Sequence, residues 1–127
     1  MSLPLGVVLV EDSPKLRERL EEALAGIDGV RVLDSADSEG AAVEVIRRQQ
    51  PDAVVLDLHL REGTGFGVLR ELAEDRGRRP TFIVLTNFDL PEYRRMAAEL
   101  GVEHFLDKAR EYDRLPQLLL QLRRCLV

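Results

Sequence analysis

Val7-Val8-Leu9-Val10-Glu11-Asp12-Ser13-Pro14 carries the reading that decides the fold. Four consecutive apolar residues, three of them β-branched, suit a strand buried on both faces of a parallel sheet. Two carboxylates end that run. Ser13-Pro14 then reads as a helix start, with serine as N-cap and proline at the first helical position. Leu16, Leu20, Ala23 and Leu24 follow at i, i+4, i+7 and i+8, one apolar stripe, and Gly26 and Gly29 close the unit.

The same strand-then-helix unit recurs along the chain. Val30 to Leu33 is a shorter strand containing an arginine, which suits a sheet edge. Ser38 caps a second helix with Ala41, Ala42, Val45 and Ile46 facing inward, and Pro51-Asp52 stops it. Ala53 to Leu56 is a third strand ended by Asp57, and Gly63-Thr64-Gly65 reads as a loop. Phe66, Leu69, Leu72 and Ala73 mark a third helix. Thr81 to Leu85 is a fourth strand ending at Thr86. Asp89 and Pro91 open a fourth helix carrying Tyr93, Met96, Ala97 and Leu100, with Gly101 at its end. Glu103 to Leu106 is a short fifth strand. A last helix starts near Asp113 and carries Leu115, Leu118, Leu119, Leu122 and Leu126. Five βα units predict an α/β fold, a flavodoxin-like, doubly wound (βα)5 sheet of five parallel strands in the order 2-1-3-4-5. A ligand site is then expected at the carboxyl ends of the strands, beside the switch point between the first and third.

The bulk numbers agree with one such domain, residues 1–127, with residues 1–5 as a lead or cloning remnant. The chain has 127 residues, 45% of them hydrophobic and 32% charged. Eighteen basic against twenty-three acidic residues give a net charge of −5, without the footprint of a direct nucleic-acid binder. No apolar run is long enough to span a membrane, and no secretory signal opens the chain. A single cysteine, Cys125, excludes an internal disulfide and points to a cytoplasmic protein. Cys125 is expected to pack as a small hydrophobe on the last helix, and the clusters Arg76 to Arg79 and Arg94-Arg95 to be solvated faces.

At the expected ligand edge stand Glu11 and Asp12, Asp57, Thr86 and Lys108. Three converging carboxylates repel without a cation, and an all-oxygen donor set suits Mg²⁺. With a lysine and a threonine hydroxyl alongside, the set matches phosphoryl transfer, with Asp57 as the group that would become an acyl phosphate.

Val8-Leu9-Val10-Glu11-Asp12, Val55-Leu56-Asp57-Leu58-His59-Leu60 with Gly65, Val84-Leu85-Thr86 and His104-Phe105-Leu106-Asp107-Lys108 together resemble the receiver domain of bacterial two-component response regulators. The resemblance is to stand-alone receivers of the chemotaxis type and covers nearly the whole chain. It implies that Glu11, Asp12, Asp57 and the backbone carbonyl of His59 hold Mg²⁺. Asp57 would accept a phosphoryl group from a sensor histidine kinase or a histidine phosphotransfer protein. Thr86 and Lys108 would bind the phosphoryl oxygens, and Phe105 would act with Thr86 as the switch. The surface of the fourth helix, fifth strand and fifth helix would then meet a downstream target. Such a protein catalyses only its own phosphorylation and dephosphorylation. The leucine stripe of the last helix admits a homodimer, although the core uses most of that stripe.

Several residues depart from the family pattern. Ala109 stands where proline usually follows the lysine, so no cis bond is expected there and the following loop should be shaped differently. Arg61 replaces a common proline. Asn87 replaces a small residue and would crowd the approach to the site. His59 and Phe88 occupy positions that tune phosphoryl lifetime, and their expected effects oppose each other. Other readings are an interaction module independent of phosphorylation, a phosphorelay or phosphate-sink receiver excised from a larger regulator or hybrid kinase, and an aspartyl-phosphate enzyme. His59 argues against the last, since such enzymes place a second acid two residues after the nucleophile.

Overall fold

The computed structural model describes residues 3–126. The strands are β1 (Leu5–Val10), β2 (Val30–Ala36), β3 (Ala53–Leu56), β4 (Thr81–Thr86) and β5 (His104–Asp107). They alternate with α1 (Pro14–Ala25), α2 (Glu39–Gln49), α3 (Gly65–Ala73), α4 (Pro91–Glu99) and α5 (Leu115–Arg124), the last preceded by a 3-10 turn at Tyr112–Arg114. All pairings are parallel and the order is β2-β1-β3-β4-β5, as the alternation predicts.

Side-chain alternation along the inner strands sorts the core into two layers. Val8, Val10, Val54, Leu56, Phe82 and Val84 pack against the buried residues of α2, α3 and α4. Leu5, Val7, Leu9, Val55, Ile83 and Leu85 pack against Leu20 and Leu24 of α1 and Leu115 and Leu119 of α5. Each of these four leucines is at most 1% exposed. Burial of that completeness contributes about 1.5–3 kcal/mol per side chain, which is why helices with many charged residues still dock firmly.

Helix starts follow their capping residues. Ser13 Oγ accepts from the Leu16 N–H, Ser38 Oγ from Ala41 and Thr64 Oγ1 from Gly67. Thr64-Gly65 is therefore the entrance to α3 and not loop. α4 has no side-chain cap; Leu90 is its N-cap and Pro91 its first residue. Asp89, expected to open it, instead accepts hydrogen bonds from Arg94 and Arg110.

Other expectations shift in detail. β1 begins at Leu5, which is 1% exposed, so the proposed lead stops short of that residue; Met1 and Ser2 lie outside the described residues. β2 runs on to Ala36, although it does lie at the edge. Ala23 and Ala73 are exposed, since each falls at the rim of its helical stripe, whereas Val43 is buried. Cys125 lies beyond the last turn of α5 and is exposed, so it does not pack in the core. Among the described residues, no helix is long and apolar enough to cross a membrane.

Candidate functional site

Strand register builds the site. Val10 pairs with Leu56 and Leu56 with Val84, so Glu11 and Asp57 emerge side by side from adjacent strands. Thr86 pairs with Asp107, which brings Lys108 to the same edge, and the Lys108 N–H donates to the Thr86 carbonyl at 2.8 Å.

Lys108 ties the carboxylates together. Its Nζ donates to Asp57 Oδ2 at 2.8 Å and to Glu11 Oε1 at 2.9 Å. The three side chains are only 10%, 9% and 4% exposed, which distinguishes these bonds from surface ion pairs. The second Glu11 oxygen accepts the Ser13 N–H at 3.1 Å, and Asp57 Oδ1 accepts the His59 N–H at 3.4 Å. Asp12 completes the group: one oxygen from each of Glu11, Asp12 and Asp57 lies within 4.8 Å of the others.

The electrostatics follow from burial. Desolvation pushes the Glu11 carboxyl above its ordinary value; the Lys108 and Ser13 hydrogen bonds oppose that, and the neighbouring charge of Asp57 adds to it. Burial alone would lower the Lys108 ammonium, but its bonds to Asp57 and Glu11 outweigh burial and raise it. Three carboxylates against one ammonium leave an uncompensated negative charge. An oxygen-only donor set of this size fits a hard divalent cation such as Mg²⁺.

The comparisons with known proteins agree with this fold. The family model for the response regulator receiver domain matches residues 7–120. The chain belongs to the response regulator receiver family. BtsR, a transcriptional regulatory protein from Salmonella typhi, is 31% identical over 117 residues, covering 92% of this chain and 47% of that protein. The response regulator domain of Thermotoga maritima CheB superposes with a TM-score of 0.82 at 18% identity, covering 97% and 96% of the two chains. A structure of the CheX-CheY-BeF3-Mg complex from Borrelia burgdorferi superposes with a TM-score of 0.76 at 20% identity, covering 91% and 90%. The chain spans about half the length, or less, of the curated relatives it matches first.

Within this receiver the structure gathers Glu11, Asp12, Asp57, Thr86 and Lys108 at one edge. Thr86 is fully buried, and its Oγ1 accepts the Phe88 N–H at 3.2 Å. Phe105 lies outside that cluster, half-buried two residues before Asp107, with the Arg94 guanidinium 4.6 Å over its ring. His59 and Phe88 are both exposed and stack on each other at 3.9 Å between ring centroids. Gly65 is required by close approach: a Cβ there would collide with the Asp57 carbonyl oxygen and lie 3.0 Å from Leu58 Cα.

The loop after Lys108 is shaped by hydrogen bonds in place of a proline. Asp107 Oδ1 accepts the N–H groups of Ala109 at 2.8 Å and Arg110 at 3.2 Å. Glu111 accepts the Asp107 N–H at 3.0 Å and returns its own N–H to the Asp107 carbonyl at 2.7 Å. The peptide bonds of the described residues are all trans. Arg94 is exposed, as expected, and it also bonds Asp89 at 3.0 Å and Glu111 at 3.5 Å, so it links α4 to this loop. Sequence reading missed this network. Its only signal was the density of opposite charges at Asp89, Arg94, Arg110 and Glu111, which has no helical or strand period.

Proposed function

We propose that this receiver is a phosphorylation-controlled switch. Asp57 accepts the phosphoryl group from a phosphohistidine on a sensor histidine kinase or histidine phosphotransfer protein. A carboxylate oxygen of Asp57 attacks phosphorus, a P–O bond forms, the P–N bond breaks, and its electron pair returns to the imidazole. Glu11, Asp12, Asp57 and the His59 carbonyl would hold Mg²⁺, whose charge would neutralise phosphoryl oxygens.

The chain's own residues do the rest. Lys108, already bonded to Asp57, follows the charge onto the phosphoryl oxygens. The Thr86 hydroxyl accepts from Phe88 and keeps its own proton to donate to a phosphoryl oxygen. Moving Thr86 draws on the β4–α4 loop, and Phe105 on the neighbouring strand responds. The exposed face of α4, β5 and α5 then changes for a downstream target.

The observation that carries this reading is the bridge from Lys108 to both Asp57 and Glu11, with Asp12 closing the carboxylate group. The test is intact-mass spectrometry after incubation with acetyl phosphate, comparing wild type with Asp57→Asn, with and without Mg²⁺. One phosphoryl adduct that requires both Asp57 and Mg²⁺ is expected. No adduct, together with amide spectra unchanged by beryllofluoride and Mg²⁺, would make the protein an interaction module independent of phosphorylation.

A further inference from the structure

The loop between Asp57 and α3 is a closed lariat. The Gly65 N–H donates to the Leu58 carbonyl at 2.9 Å, and His59 pairs with Thr64 in an isolated antiparallel bridge. Three polar contacts tie its tip to the start of α2. The Glu39 N–H donates to the Glu62 carbonyl at 2.9 Å, the Thr64 N–H donates to Glu39 Oε1 at 3.0 Å, and Arg61 pairs with Asp37 at 3.3 Å. Two of the three run through one residue, Glu39.

The Glu39 side chain sits in a recess that exists because two neighbours lack a side chain. A Cβ on Gly63 would collide with Glu39 Cβ, and one on Gly67 would collide with Glu39 Oε1. Gly63 also has φ +79°, a conformation that favours glycine. Gly67 is different: it is the third residue of α3, with ordinary helical backbone, where glycine is a poorer helix former than alanine. Helix propensity therefore argues against Gly67, and the space it leaves is filled by the Glu39 carboxylate.

We propose that Glu39 is a positioning residue for metal binding: from α2 it fixes the β3–α3 loop, and with it the His59 carbonyl beside Asp57. This rests on the reading of the site as a Mg²⁺-dependent phosphoryl acceptor. Glu39 does not touch the cation. It acts by holding the backbone that does, as hydrogen-bonding partners behind metal ligands do in general.

The test is a Mg²⁺ titration followed by amide chemical shifts, with thermal unfolding in EDTA alongside. Glu39→Ala loses the Thr64 bond and should bind Mg²⁺ about tenfold more weakly. Glu39→Gln keeps an oxygen for the Thr64 N–H and should bind like wild type. Gly67→Ala keeps Glu39 but evicts its carboxylate. It should weaken Mg²⁺ binding as Glu39→Ala does, while melting higher than Glu39→Ala in EDTA, because alanine favours the helix. Wild-type affinity in Glu39→Ala and Gly67→Ala would overturn the proposal, as would affinities that simply track melting temperature. A wild type with no Mg²⁺-dependent shifts at Asp12 and Asp57 would instead overturn the metal-site reading itself.

Discussion

Asp12→Asn should stabilise the metal-free protein and abolish its response to Mg²⁺. The site holds three carboxylates with an oxygen of each within 4.8 Å of the others, and the Lys108 ammonium bonds Glu11 and Asp57. Among the described residues, Asp12 is in no ion pair. At an effective dielectric near 20, two unit charges 4.8 Å apart cost about 3.5 kcal/mol. Asp12 faces two such neighbours, but Lys108 offsets part of that and solvent reaches this half-buried side chain. Screening leaves about 1–2 kcal/mol gained on neutralising it. For a chain of this length that is a rise in melting temperature of ~3–8 °C. Wild type should gain about 2.7 kcal/mol at roughly a hundredfold excess of Mg²⁺ over Kd, and the variant almost nothing. Thermal unfolding by circular dichroism, in EDTA and in Mg²⁺, reads both arms. A variant that melts below wild type in EDTA, or that keeps the full Mg²⁺-dependent rise, would refute the reasoning.

The loop after Lys108 gives a second prediction. Ala109→Pro, which installs the residue common in the family, removes the N–H that Asp107 accepts at 2.8 Å. Losing a hydrogen bond to a charged acceptor costs about 1.5–3 kcal/mol, so the variant should melt ~5–10 °C lower; unchanged melting would show that the loop reshapes around proline. A third concerns pH. Glu11 is raised in the folded state, so its contribution to stability is present below its ordinary value and is lost as pH rises through the raised value. Stability of the metal-free protein should therefore fall as pH climbs from about 4.5 through that value, and the slope should vanish in Glu11→Gln. A denaturant melt at stepped pH in EDTA checks it, and an identical slope in Glu11→Gln would count against it.

How much of this was legible in the chain differs from residue to residue. The four β-branched or leucine-rich runs and their following helices were visible because burial imposes a local period, and parallel strands joined by helices leave few topologies. Ser13, Pro14 and Ser38 announced helix starts because capping is satisfied within three residues. Once the strand order is known, Glu11, Asp57, Thr86 and Lys108 must share an edge, so their meeting there also follows from the chain.

What the sequence could not show depends on distance and on rotamer. The bond between Lys108 and Glu11 joins residues 97 apart, and whether the ammonium reaches one carboxylate or two is decided by packing. Asp89 had the composition of a helix cap, yet Arg94 and Arg110 compete for its carboxylate more strongly than a backbone N–H does. Cys125 matched an apolar stripe, yet at the C-cap of α5 it is exposed while its neighbour Leu126 packs against the core. Glu39 is the acid in the first turn of α2, and the approach of Gly63 and Gly67 shows where its side chain sits. The local period of burial thus determined the strands, the helices and the edge where charge collects. The partner that each charged side chain takes is set by contacts between distant segments, because such contacts exist only once the sheet has brought those segments together.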